Sequence, residues 1–268
     1  LDSVVPPSLA LGNEHAKNLE AAVNAQFARC AADAECAQRF GSPRARLDEL
    51  LQRLREQPQK VAYRDPLTNE QREDEVTDAT LAAVVRFHAY APQLFGMLPM
   101  LLAEAAGGRY ENLMAQSRML EQLIGEQIHV PLQLSVMCAE DAPGMRVDPA
   151  DAGTILGTEF VEYTLAQCAV WPRGTMPKDF HDAVKSDHPV LLLSGELDPV
   201  TPPRYAEEVQ RTLPNSRHFV FRGQGHSVLG VGCGPRLVAE FIAAADAKAL
   251  DGGCLDQLQY SPPFGGSY

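Results

Sequence analysis

HPVLLLSGELDPVTPP, residues 188–203, sets the reading of this chain. Val190–Ser194 is an unbroken apolar run closed by a polar turn, the pattern of a strand buried on both faces. Pro203–Leu213 then reads as a helix. His218–Phe221 reads as a second buried strand followed by the loop GQGHS (223–227), and Gly234–Ala249 as a closing helix. Strand, helix, strand, helix with buried strands implies a parallel sheet covered by helices, an α/β architecture. Functional groups in such sheets collect at the carboxyl ends of the strands. Asp198 and His226 both fall there, on neighbouring strands. A carboxylate beside an imidazole fixes its tautomer and stabilises its cation. Glycines around His226 let the backbone turn sharply and leave the ring accessible. Taken singly, the Asp reads as a turn residue and the His as a satisfied polar group. The strand–loop context, repeated twice in order, favours the pair.

Upstream the pattern is helical from Asn13 to about Gly125. Leu19, Val23, Phe27 and Cys30 share one face. Leu47, Leu50, Leu51 and Leu54 form a second stripe, stopped by Pro58. Leu81, Val84, Val85 and His88 form a third, stopped by Pro92, and two more apolar stretches follow near 93–106 and 110–124. This is the spacing of amphipathic helices. Leu132–Met137 reads as a short strand and 149–167 as helix. Residues 1–9 read as the end of a strand, near Val5, running into a Pro-Pro turn. The expected division is 1–12 as the end of a core strand and turn, 13–180 as a mainly helical cap, and 181–268 as the C-terminal part of an α/β core.

The 268 residues carry 23 Lys and Arg against 35 Asp and Glu, a formal charge of −12. No basic stripe is present, which argues against a nucleic-acid partner. No apolar run approaches the roughly 18 residues of a membrane span; the longest, Phe95–Ala106, is interrupted by Pro99. Six cysteines with no C-x-x-C favour three disulfides and a secreted or periplasmic location over a redox motif or zinc site. Cys30 and Cys36 flank a short polar stretch and suit a pinned turn. Cys233 and Cys254 bracket the last helix, where a bridge closing roughly 20 residues would contribute about 3 kcal/mol. No H-e-x-x-h type ligand cluster is present, so neither metal nor organic cofactor is expected. No basic segment precedes an apolar one at the start, so the chain reads as a mature protein or as a piece of a longer one.

The words HPVLLLSGELDPVTPP, FRGQGHSVLG (221–230) and CGPRLVAEFI (233–242) followed by Cys254 resemble the C-terminal part of α/β-hydrolase serine peptidases related to proline iminopeptidase and tripeptidyl aminopeptidase. SVMCAED (135–141), the Cys168–Pro172 segment and the opening LDSVVPP are similar as well. The resemblance implies the C-terminal part of an α/β-hydrolase fold, a remnant of its parallel sheet, with a large helical cap and with disulfides in the cap and near the C-terminus. It implies the chain order Ser, Asp, His, with Asp198 as the acid and His226 as the base. It also places Glu140 near the cap–core junction, as a carboxylate for the free α-ammonium of a peptide.

A G-x-S-x-G elbow is absent. Ser227 has Leu229 where the second glycine belongs and no histidine after it. Ser194 lies on the strand bearing Asp198, so both serines read as structural. The oxyanion loop of the His-Gly-Gly type is absent too. The nucleophilic Ser is therefore expected from an upstream segment carrying the first strands of the sheet, and this chain alone is expected to be inactive. Phe95, Met97, Met100 and Trp171 suit either an apolar pocket or helix core. The function expected is a serine exopeptidase acting on a peptide or small ester or amide substrate. The alternatives are a carboxylesterase-type hydrolase and a non-catalytic hydrolase-like binding or scaffold protein.

Overall fold

A computed structural model describes residues 1–264. They form two compact units, Leu1–Ala22 with Pro131–Tyr260, and Val23–Val130 with residues from Ser261 onward.

The first unit contains the sheet. Strand β3 (Val190–Gly195) pairs in parallel with β4 (Ser216–Phe221), register Val190↔Ser216 to Gly195↔Phe221. On the other edge of β3 the chain start adds a short parallel partner. Asp2 bridges Leu193, the Leu193 N–H donates to the Leu1 carbonyl (2.9 Å), and the Ser3 N–H donates to the Leu193 carbonyl (2.9 Å). This ladder stops at Ser3 rather than near Val5, because Ser3 turns out of the extended region at φ 59°. Leu191, Leu193, Phe219 and Phe221 point to one face and pack with Leu237, Leu250 and Leu255. Helix α10 (Pro203–Gln210) packs against both strands. Helix α11 (Gly234–Ala244) carries Leu237 into the core and ends at Ala245, which is left-handed (φ 49°), so the helix stops short of the expected Ala249. Cys233 caps its start and is bridged to Cys254.

The stretch expected as a strand at Leu132–Met137 is helix α8 (Val130–Glu140). Its inward side chains are Leu134, Met137 and Cys138, spaced by three and four, which is a helical face and not a strand's alternation. Cys138 bridges Cys168 on α9 (Glu159–Val170). Trp171 packs beside this disulfide and its indole N–H donates to the Ser135 hydroxyl (3.2 Å).

In the second unit, the later turns of α1 (His15–Ala32) lead into α2 (Ala34–Phe40) and α3 (Pro43–Glu56). Cys30–Cys36 pins the α1–α2 turn, where Asp33 caps α2 by accepting from the Cys36 N–H (2.8 Å). Helices α4 (Asp78–Ala89), α5 (Pro92–Phe95), α6 (Leu98–Ala106) and α7 (Glu111–Gln127) complete the helical part. The three stripes of the sequence supply the core, with Leu47, Leu54, Leu81, Val84 and Val85 all fully buried. Phe95 packs against Phe27 with the rings tilted (5.0 Å between centroids) and Met100 lies against Cys30, Cys36 and Phe40, so these side chains are core.

The helical reading of 13–125 is corrected at one place. Residues 59–76 form an antiparallel hairpin, β1 (Gln59–Arg64) with β2 (Gln71–Val76). Val61 and Tyr63 alternate inward, and the Asp65 carboxylate holds the turn by accepting from the Leu67 and Thr68 N–H groups. No helix among the described residues is long and apolar enough to cross a membrane.

His88 is completely buried on α4. Its Nδ1 donates to the Val84 carbonyl (2.8 Å), and Nε2 has no partner among the described residues. Burial pushes its pKa down, against the smaller opposing effect of the Val84 bond. The unfolded chain therefore takes up a proton, from about pH 6.5 downward, before the folded one does, and stability falls as pH drops below that value. Thermal unfolding between pH 7 and pH 5 should show a falling midpoint in the wild type and a shallower fall in His88→Leu.

Candidate active site

The site begins with a glycine. β3 ends at Gly195, where a Cβ would overlap the Gly225 carbonyl oxygen and stand 2.7 Å from that of Gln224. Only a residue without a side chain lets the loop after β3 touch the loop after β4 backbone to backbone. Two hydrogen bonds fix the contact, Glu196 N–H to the Phe221 carbonyl (3.1 Å) and Leu197 N–H to the Gln224 carbonyl (2.8 Å).

This contact brings Asp198 and His226 together. His226 Nδ1 lies 2.9 Å from Asp198 Oδ2. The Asp198 side chain is wholly buried, whereas that of His226 is 28% exposed. A buried carboxylate is costly unless its lone pairs are used. Asp198 Oδ1 accepts from the Val200 and Thr201 N–H groups, both at 2.8 Å, and Oδ2 accepts from the Thr201 hydroxyl at 2.7 Å as well as from His226. Burial alone would raise the Asp198 pKa. The His226 bond and charge, with the Thr201 bonds, outweigh it and hold the carboxyl below the usual carboxylate range. The ionised carboxylate can only accept, so Nδ1 carries the proton and Nε2 the basic lone pair.

The other flank of His226 is held by the chain start. Ser227 sits at φ 66° and Ser3 at φ 59°, a region costly for residues with a side chain. Their bonds offset that cost. The Ser227 N–H donates to Ser3 Oγ (3.0 Å), and Asp2 accepts from the Ser227 hydroxyl (3.2 Å), the Val228 N–H (3.1 Å) and the Leu229 N–H (2.9 Å). Thus three successive amides after His226 are anchored to one strand tip. Glu196 ties the outer side, accepting from the Gly223 N–H (2.7 Å) and the Tyr260 hydroxyl (2.9 Å).

Ser194 is buried and its hydroxyl is spent on His218 Nε2 (2.9 Å). Glu140 ends α8, half-buried, next to Asp141, whose pKa burial pushes up. Among the described residues Glu140 makes no hydrogen bond or ion pair to Asp198 or His226. The sequence reading missed Thr201 and Asp2. Thr201 had a signal, the spacing D-P-V-T of an Asx turn with a hydroxyl at the third place. Asp2 had only its position at a strand tip. Among the described residues no group of three or more His, Cys, Asp or Glu is placed to hold a metal ion.

If loop contact is what assembles the pair, Gly195→Ala should lower unfolding stability by more than about 2 kcal/mol in denaturant titration, the range of overpacking at a fixed backbone.

No match was found among curated proteins. Residues 154–254, a span that includes β3, α10, β4 and α11 together with both Asp198 and His226, match the family model described as TAP-like protein, an α/β-hydrolase family. That match supports an α/β-hydrolase family member, and so a hydrolase, for this part of the chain.

Proposed function

We propose that this chain carries the acid and the general base of a serine exopeptidase that releases N-terminal amino acids or short peptides. The observation that supports it is the 2.9 Å contact between His226 Nδ1 and a fully buried, four-bonded Asp198 at adjacent strand tips. A non-catalytic scaffold predicts the two side chains unpaired or blocked, so their pairing favours catalysis.

The attacking serine comes from a segment N-terminal to Leu1, since no G-x-S-x-G lies within the chain. In the assembled protein, His226 Nε2 takes the serine proton as Oγ bonds to the substrate carbonyl carbon. Asp198 stabilises the imidazolium without taking its proton. The same proton passes to the leaving amine as the C–N bond breaks. Water then attacks the acyl-enzyme, giving its proton to Nε2, and the serine is restored. Peptide, amide and ester substrates all fit this sequence, and no metal or organic cofactor takes part. Glu140 is assigned to the substrate's α-ammonium group, which would set the preference for free N-termini. Three disulfides are compatible with a secreted or periplasmic location.

The test uses the protein with its upstream segment, assayed on aminoacyl and peptidyl amides and on simple esters. Turnover of amides is expected, with kcat reduced roughly 10⁴-fold in Asp198→Asn and roughly 10⁶-fold in His226→Ala. Wild-type turnover by His226→Ala would overturn the assignment. Turnover of esters alone would make the protein a carboxylesterase. Removing the carboxylate in Glu140→Gln should raise KM for substrates with a free N-terminus about tenfold and leave N-blocked ones unchanged.

A further inference from the structure

Asn18 lies near the start of α1, far from Asp198 in sequence, and is 3% exposed. Its side chain uses both polar atoms. Nδ2 donates to the Val200 carbonyl (3.0 Å) and to the Tyr205 hydroxyl (2.8 Å), and Oδ1 accepts from Arg204 Nη2 (2.5 Å). Glu14 closes the network, accepting from the Tyr205 hydroxyl (2.6 Å) and from Arg204 (2.8 Å).

The Val200 carbonyl and the Thr201 N–H belong to one planar peptide group and point in opposite directions. One end of that plane is held by Asn18. The other donates to Asp198 Oδ1 (2.8 Å). Rotation of this peptide would turn the Thr201 N–H away from the carboxylate, and it would also move the Thr201 hydroxyl that bonds Oδ2. A chain of bonds through one polarisable peptide also strengthens each member.

We propose that Asn18 is a positioning residue for the catalytic acid: by pinning the Val200–Thr201 peptide it fixes the Asp198 carboxylate on His226, and so couples the first helix after the chain start to the proton-transfer pair. This rests on the hydrolase reading above.

The experiment uses the protein with its upstream segment and four variants. Asn18→Asp keeps the size of the side chain and an acceptor for Arg204 but removes the donor to Val200. It is expected to lower kcat about tenfold with KM within about twofold. It should also shift or broaden the proton NMR resonance of the His226 Nδ1–H, which a merely structural role would leave in place. Asn18→Ala, which brings no charge, should do the same and provides the comparison if the acidic variant does not fold. Tyr205→Phe removes the neighbouring hydroxyl but leaves the peptide pinned, so kcat and the resonance should stay within about twofold and unmoved respectively. His226→Ala separates the two claims. Wild-type hydrolysis by His226→Ala would overturn the hydrolase reading and this proposal with it. Loss of hydrolysis there, combined with wild-type kcat and an unmoved resonance in folded Asn18→Asp or Asn18→Ala, would overturn the role of Asn18 alone. Equal losses of kcat in Asn18→Ala and Tyr205→Phe would overturn it too.

Discussion

The backbone contact at Gly195 governs the rest of the site. Two parallel strands place their exit loops side by side, but ordinary side chains would hold those loops apart. The absence of a Cβ at Gly195 lets the Gln224–Gly225 backbone close in. The main-chain bonds of Glu196 and Leu197 then set the register between the loops. The Asp198–His226 bond follows from that register, because each side chain is only a few residues beyond its anchored strand end.

Around this contact the polar groups are arranged by need. The Asp198 charge is buried and would be unfavourable by several kcal/mol without partners. Its four donors come from a single strap, Val200 and Thr201, and from His226. His226 stands at the edge of solvent, and its loop is held from the opposite side by Asp2 and Ser3. Asp198 is therefore immobilised by the Val200–Thr201 strap that leads into α10, and the loop of His226 by the chain start. Each loop thus has a support of its own besides the shared backbone contact at Gly195, and the pair is held in one fixed geometry.

Much of this could be read from the residues. The run Val190–Ser194 marked β3, since no polar side chain interrupts it before Ser194, and the apolar Phe219-Val220-Phe221 marked the second half of β4. The leucine stripe of α3 and the Leu81, Val84, Val85 stripe of α4 marked their inward faces. The hairpin at 59–76 was hidden because β2 reads QREDEV, a strand almost wholly exposed, whose charges look like a solvated helix face. Its only local signals were the alternation of Val61 and Tyr63 and the D-P-L-T-N turn. Leu132–Met137 misled in the opposite way. A six-residue apolar run fits a buried strand or a helix equally, and the covalent tie from Cys138 to Cys168 is invisible to periodicity. Thr201 could have been found from its spacing to Asp198. Asp2 and Asn18 could not, because their roles exist only once distant segments meet.

The edge partner of β3 has a kinetic consequence. The Leu1 nitrogen donates to the Leu191 carbonyl across 190 residues of chain. Closing so long a loop is entropically slow, whereas the helices of Val23–Val130 are built from near neighbours in sequence. The helical unit can therefore condense early. The seating of the Ser227 N–H on Ser3, 224 residues away in sequence, is therefore a late event, whereas Asp198 and His226, 28 residues apart, meet as soon as β3 and β4 pair.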